Sequence, residues 1–335
     1  MKTTGLISLG LNLALITNFV SSAAISTTPD NSNIIVIPDS PDNTSIGSDY
    51  STDPSLFSNE YYIGSTTSKN FSSQAVPPKK RPLYPIRAFA DSLSSTRGVV
   101  HPGHNKFPPN YFIPDGTGPL RWSCVYSMNS IVMTPWGTQM SIARSNGLPT
   151  FAPPGSSRPP HPGKPYSCGQ MVNRNRGVGY GKYSIDMIPT DVVGHVTAFF
   201  LITHGTTPSG EGSEIDIELT GLNSTVVWLN IWKGATQHPV KVPLGFDASK
   251  GWHNYAIEWQ PGFIAWSVDG KEILKRTDIG TVDPRLPGVE YRLSMNSWTH
   301  DVVDQWAGKF TWPASRSAVT GKFRNVKFTP TESLY

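Results

Sequence analysis

Ser213-Glu214-Ile215-Asp216-Ile217-Glu218-Leu219 sets acidic residues at every second position of an apolar run. In a β-strand, residues two apart share a face. Glu214, Asp216 and Glu218 are therefore expected to project together, with Ile215, Ile217 and Leu219 turned into a core. Like charges side by side in a sheet are unfavourable. The pattern makes sense if the repulsion has a use. It can hold one carboxyl protonated near neutral pH while its neighbour stays ionised.

The residues that follow extend the same logic. Thr220-Gly221-Leu222-Asn223-Ser224 reads as a turn, and residues 225–232 as the next strand. With the turn centred on Leu222, Asp216 is expected opposite Trp228 and Glu214 opposite Asn230. Trp228, Asn230 and Trp232 then share the carboxylate face, while Val227, Leu229 and Ile231 face the core. Further out, short alternating runs recur: Gln139-Met140-Ser141-Ile142-Ala143, Tyr183-Ser184-Ile185-Asp186-Met187, Thr197-Ala198-Phe199-Phe200-Leu201-Ile202 and Tyr255-Ala256-Ile257-Glu258-Trp259. Asp269-Gly270 is a tight-hairpin signal between Ile264-Ala265-Trp266-Ser267-Val268 and Lys271-Glu272-Ile273-Leu274. No stretch carries a helical period. Many short strands divided by turn residues predict an all-β sandwich over residues 119–330.

Composition agrees. The 335 residues include thirty Gly, thirty Pro and 11% aromatics, which suits a turn-rich β protein preceded by a Pro-rich tract. Residues 24–118 are rich in Ser, Thr, Pro, Asn and Asp without sustained periodicity, and read as a disordered, low-complexity leader. A net charge of +4 is too mild, and the basic residues too scattered, for a nucleic-acid partner. Lys79-Lys80-Arg81 reads as a solvated linker run. Lys2, the apolar residues 5–20 and Ser21-Ser22-Ala23-Ala24 have the layout of a secretory signal over residues 1–23. No second apolar run suggests a membrane span. The mature chain is expected outside the cell, in contact with the cell wall or free, and as a monomer. Export makes Cys124 and Cys168 one disulfide rather than thiols, and sequons at Asn43, Asn70 and Asn223 are compatible with it.

The acidic strand suits a definite chemistry. Glycosidic hydrolysis with retention uses two carboxyl groups about 5–5.5 Å apart. Glu214 and Glu218 have Cα atoms about 13 Å apart on an extended strand, but long side chains on a curved sheet can close that gap. Asp216 between them can bond the nucleophile and tune the shared protons. Indole faces stack on pyranose rings, while amides bind hydroxyls. Competing readings are weaker. Calcium sites draw carboxylates from Gly- and Asn-bearing loops rather than an Ile-spaced strand. No His or Cys spacing suits zinc, and neither a nucleophile elbow nor a phosphate-cradling loop is present.

Glu-Ile-Asp-Ile-Glu followed by a Gly turn and an Asn-bearing strand resembles the catalytic signature of glycoside hydrolase family 16. So do Gly179-Tyr180-Gly181-Lys182-Tyr183, Leu244-Gly245-Phe246-Asp247-Ala248-Ser249, residues 253–262 and Trp266-Ser267-Val268-Asp269-Gly270. The family comprises lichenases, laminarinases and fungal cell-wall transglycosylases. The resemblance implies a concanavalin-like jelly roll and a β-glucan substrate. It implies Glu214 as nucleophile, Asp216 as its assisting acid and Glu218 as general acid/base. Asn230, Trp232, Asn296 and Trp298 match positions that line the substrate site; Trp228, Gln170 and Tyr180 are added as substrate contacts. The cysteine pair is similar to the lichenase disulfide. The chain departs from lichenases at three places. Gly212 stands where they carry Trp, and Gln170 and Val172 replace a Glu and an Arg. Arg324 stands where the family has a calcium-ligating Asp, so no metal or other cofactor is expected. Trp306-Ala307-Gly308 is similar to the chitin–glucan transglycosylases. Transfer by the same residues, or a non-catalytic glucan-binding module, are the alternative readings.

Overall fold

The chain folds as two sheets facing across one core, joined at an end. The computed structural model describes residues 35–36, 88–96, 98–100, 110–114, 123–144, 164–175, 178–203 and 212–331. The signal-peptide expectation, Lys79-Lys80-Arg81, Asn43 and Asn70 lie outside them. No α-helix occurs among the described residues, and none of their helices is long and apolar enough to cross a membrane. The first strands are β1 (Ile35–Val36), β2 (Phe89–Asp91), β3 (Tyr111–Phe112), β4 (Cys124–Tyr126), β5 (Ile131–Thr134) and β6 (Gly137–Arg144). There follow β7 (Tyr166–Asn173), β8 (Gly181–Ile188), β9 (His195–Thr203), β10 (Ser213–Thr220), β11 (Val226–Lys233), β12 (Thr236–Gln237) and β13 (Val240–Pro243). The last are β14 (His253–Gln260), β15 (Phe263–Val268), β16 (Lys271–Arg276), β17 (Tyr291–Thr299) and β18 (Val319–Pro330).

One sheet runs β1-β13-β11-β10-β9-β17-β7-β3, all antiparallel, so the acidic strand β10 is central. The other runs β16-β15-β14-β8-β18-β6-β5, with β2 on the far end of β18. A short β6–β7 pairing joins the two, and β4 lies parallel to β7 at that joint. Cys124 and Cys168 form the expected disulfide across that joint, bonding β4 to β7.

The apolar half of each alternating strand fills the space between the sheets. Ile215, Ile217, Leu219, Val227, Leu229 and Ile231 meet Tyr183, Ile185, Tyr255, Ile257, Trp266 and Phe323 from the other side, all buried. Burial of this kind contributes about 1.5–3 kcal/mol per large side chain. The Asp269-Gly270 hairpin is as the sequence predicts. Val268 pairs with Lys271, and both turn residues have positive φ (49° and 80°), the geometry of a type I′ turn. A smaller core (Val196, Trp298, Phe310 and the disulfide) lies at the joint.

The folded part begins earlier than residue 119. Phe89–Asp91 pairs with β18, and Leu93 beside it is fully buried. Val100 bridges to Met133, and Tyr111–Phe112 adds an edge to β7. These pieces are two or three residues long, too short for any period to rise above the Ser- and Pro-rich sequence around them.

Candidate active site

Three rows of side chains cross the outer face of the first sheet, each read along the strand register. The first is Trp232, Glu214, Ile202 and Arg292; the second is Asn230, Asp216, Phe200, Ser294 and Val172. The third is Trp228, Glu218, Ala198, Asn296 and Gln170. The expected hairpin register is corrected here. Asp216 lies opposite Asn230, Glu214 opposite Trp232 and Glu218 opposite Trp228. The turn centres on Asn223, not Leu222. Asn223 Oδ1 accepts from Thr225 N (3.0 Å) and Thr225 Oγ1 (2.7 Å), while Gly221 N is drawn to His195 O, giving a five-residue loop. Moving the centre by one residue shifts each pair by two, which keeps every side chain on its expected face.

Asp216 is 4% exposed, whereas Glu214 and Glu218 keep part of their surface open. Burial is the first cause that lifts all three carboxyls. Glu214 is pushed up to about 7, opposed by its hydrogen bond with Asp216. Glu218 is pushed up to about 8 by burial and then by the negative charge of Glu214. Asp216 is held well above the carboxylate range by burial, by the charges of Glu214 and Glu218, and by its bond to Glu214. A bond of Asp216 with Asn230 acts the other way. The shared Asp216–Glu214 bond raises Asp216 and lowers Glu214, so the proton sits on Asp216 and Glu214 accepts it. Asn230 Oδ1 accepts from His238 N at 2.9 Å, which leaves its NH2 group to donate to Asp216.

The neighbouring residues are placed as follows. Trp228 is buried under Lys241, whose ammonium lies 5.7 Å from the ring centroid. Trp232 is half-buried at the other end of the hairpin face. Asn296 Nδ2 donates to Tyr126 Oη (3.0 Å) and Gln170 Oε1 (3.4 Å), and its buried Oδ1 has no partner among the described residues. Trp298 continues that face but packs into the smaller core, against Trp306 at 5.8 Å. Tyr180 is not brought to this face. It is buried in the main core, edge-on to Trp259 at 4.9 Å and under Arg285, because its segment crosses beside β17 rather than lying in the carboxylate rows. Tyr126, Phe200 and Arg292 complete the surroundings of the triplet, and no signal in their local sequence marks them.

Position 324 carries a cation where the resemblance implies a calcium ligand. Arg324 Nε donates to Asp186 Oδ2 (3.2 Å), and the guanidinium lies 4.2 Å over Trp252. Asp186 is further engaged by Asn254 and Asn325. A divalent cation needs several free oxygen ligands, and these residues do not fit one.

Comparison with known proteins identifies the family. A family model, Glycosyl hydrolases family 16, matches residues 121–314. The chain belongs to that family. It is 43% identical over 149 residues to a beta-glucanase of Paenibacillus macerans, covering 43% of this chain and 58% of that protein. It is 35% identical over 202 residues to a beta-glucanase of Bacillus licheniformis, covering 58% of this chain and 72% of the relative. The chain thus spans little more than half the length of the Paenibacillus relatives it matches. Among solved structures it resembles the Bacillus licheniformis beta-glucanase (TM-score 0.54, 26% identity, 73% of this chain and 98% of that one). It also resembles a beta-1,3-1,4-glucanase (lichenase) derived from a mouse hindgut metagenome (TM-score 0.56, 26% identity, 73% and 99%). The jelly-roll expectation and the family resemblance both stand. Family membership was legible from the acidic strand and the turn motifs; the amide and phenol around Asn296 were not.

Proposed function

We propose that this chain hydrolyses internal bonds of a β-glucan, of mixed β-1,3/1,4 or β-1,3 type, with retention at the anomeric carbon. One observation carries the reading: Glu214, Asp216 and Glu218 share a face, and burial raises all three carboxyls, which supports a protonated Glu218 beside a Glu214 that can ionise. Glu218 protonates the leaving glycosidic oxygen as the Glu214 carboxylate attacks the anomeric carbon. The glycosyl-enzyme ester forms as the C–O bond to the leaving sugar breaks. Glu218, now ionised, takes a proton from water, whose oxygen displaces Glu214 and restores both groups. Asp216 holds Glu214 in place and keeps its negative charge single. The reaction needs no cofactor, since two carboxyls supply both proton and nucleophile.

Trp228 and Trp232 offer ring faces to pyranoses, and Asn230, Asn296 and Gln170 offer amides to hydroxyls. The unpartnered Asn296 Oδ1 supports this, because a buried acceptor without a donor is costly unless a ligand supplies one. The names of the relatives support a glucan substrate. The buried disulfide supports export and work outside the cell. Activity on lichenan, laminarin, xyloglucan and chitin oligomers tests the reading, with products followed by proton NMR and mass spectrometry. Short β-anomeric products from lichenan or laminarin are expected. Initial α-anomers, or full activity in Glu214→Gln, would overturn it.

A further inference from the structure

The reach between Glu214 and Glu218 raises a geometric problem that the strand alone does not solve. An extended strand sets their Cα atoms about 13 Å apart, while retaining chemistry brings the carboxyls to about 5–5.5 Å. Side chains on one face converge only if that face is concave, which requires the middle of the strand to sit nearer the core than its ends. The middle residue is Asp216. Its backbone carbonyl accepts a hydrogen bond from the indole Nε1 of Trp266, at 3.1 Å. Trp266 is 1% exposed and belongs to β15 in the opposite sheet, so the bond spans the core and approaches Asp216 from beneath.

An irregularity in the partner strand faces that indole. The β15–β16 pairing shifts register between Trp266 and Ser267: Trp266 lies opposite Leu274 and Ser267 opposite Glu272, so Ile273 is the extra residue and the bulge is in β16, facing the tryptophan. Bulges raise the local twist of a strand pair and recur beside functional sites. The neighbouring core indole, Trp259, is equally buried and ends on a loop hydroxyl, donating to Thr281 Oγ1 at 3.1 Å. Burying a large aromatic does not itself require a bond to the acidic strand.

We propose that Trp266 is a positioning residue for the carboxylate pair: its N–H, bonded to the Asp216 carbonyl, holds the centre of β10 toward the core and so draws Glu214 and Glu218 together on the far face. This rests on the retaining reading above. Without the bond, a buried carbonyl loses its cross-core donor, the strand relaxes outward and the carboxyls separate. Displacements of about 1 Å in such a constellation cost on the order of a hundredfold in rate.

Trp266→Phe keeps an aromatic core residue and removes the N–H; Trp259→Phe is the matched control. Trp266→Phe is expected to lower kcat roughly tenfold or more with KM near the parent's. Glu218 should also titrate at lower pH, since it moves out of the field of Glu214. Glu218 otherwise faces Asp216 on its own strand, Trp228 opposite and Lys241 beyond it, and the substitution replaces none of these groups. Trp259→Phe should lose comparable thermal stability and keep the parental kcat and titration. Carbon NMR of the labelled glutamate carboxyls reads the separation whether or not glucan is cut. A parent inactive on every glucan therefore overturns the glucanase reading, while Glu218 titrating alike in parent and Trp266→Phe overturns this inference. An identical response in Trp259→Phe overturns it as well. If Trp266→Phe fails to fold, benzothienylalanine at 266 keeps the indole shape without its N–H and decides the same question.

Discussion

Removing the charge at Glu214 should lower the pH at which Glu218 titrates by about one unit, and the size of that fall tests the electrostatics of the site. Glu218 stands raised from an ordinary 4.5 to about 8, first by burial and second by Glu214. The contribution of Glu214 is the smaller of the two, so it accounts for less than half of the rise, under about 1.7 pH units. Coulomb's law gives a similar figure. Two charges about 5.5 Å apart, in a half-buried site of effective dielectric about 40, interact by about 1.5 kcal/mol, or about one pH unit. Glu214→Gln keeps the shape and removes the charge. Glu218 should then titrate below the parent and remain well above an ordinary glutamate, because burial persists. Carbon NMR titration of labelled glutamate carboxyls, with Glu218→Gln to identify the resonance, makes the measurement. A fall of several pH units would mean that charge, not burial, governs the site. No change would mean that Glu214 and Glu218 do not face each other, and the retaining assignment would fall with it.

Three further outcomes concern stability. A carboxyl whose pKa is raised on folding contributes stability that is full below its unfolded value and lost as pH rises through the folded one, so Glu218→Gln should stabilise the protein above pH 8 and not at pH 4. For about 2 kcal/mol after allowance for its exposure, thermal melting at pH 9 should rise by about 4–8 °C. His195 has the opposite sign. Fully buried, with Nε2 on Ser297 Oγ at 2.7 Å, it is pushed down to about 3, so its contribution is present above pH 6.5 and lost as pH falls toward 3; His195→Asn should flatten the acid limb of a stability–pH curve. Reducing Cys124–Cys168 should lower stability by about 4 kcal/mol in the chain-entropy model, seen as an earlier melt in reductant and not in a Cys124→Ala/Cys168→Ala double variant.

How far the site could be read in advance depends on the range of the interaction that builds it. Alternation is local, so the acidic strand, the face shared by Trp228, Asn230 and Trp232, and the Asp269-Gly270 turn were all legible. The hairpin register was not, because it hangs on one side chain, Asn223, bonding Thr225 and lengthening the turn. The early strands β2 and β3 were hidden because their pairing partners, β18 and β7, lie far along the chain and the strands themselves carry too few residues for a pattern. Tyr180 sits in a motif that resembles the family's, yet its ring lies under Arg285 and against Trp259, contacts fixed only when the sheets close.

The same distinction explains why the acidic strand is tolerable at all. Three carboxyls on one strand face lower stability at neutral pH, since each is held above its ordinary range and opposes folding as pH climbs. The apolar residues between them compensate. Ile215, Ile217 and Leu219 are buried to 1% exposure or less, in a strand flanked on both sides by ladder partners. Burying three such side chains contributes roughly 5–9 kcal/mol, which offsets much of what the raised carboxyls withdraw. A strand with acids on one face can be stable only where its other face is wholly core and both of its edges are paired. β10 meets both conditions, and a strand at the margin of either sheet would not. The central place of β10 is thus a requirement of its chemistry. A charge-neutral variant of the triplet should gain stability without change of fold, and an acidic triplet moved to the edge strand β16 should unfold that strand.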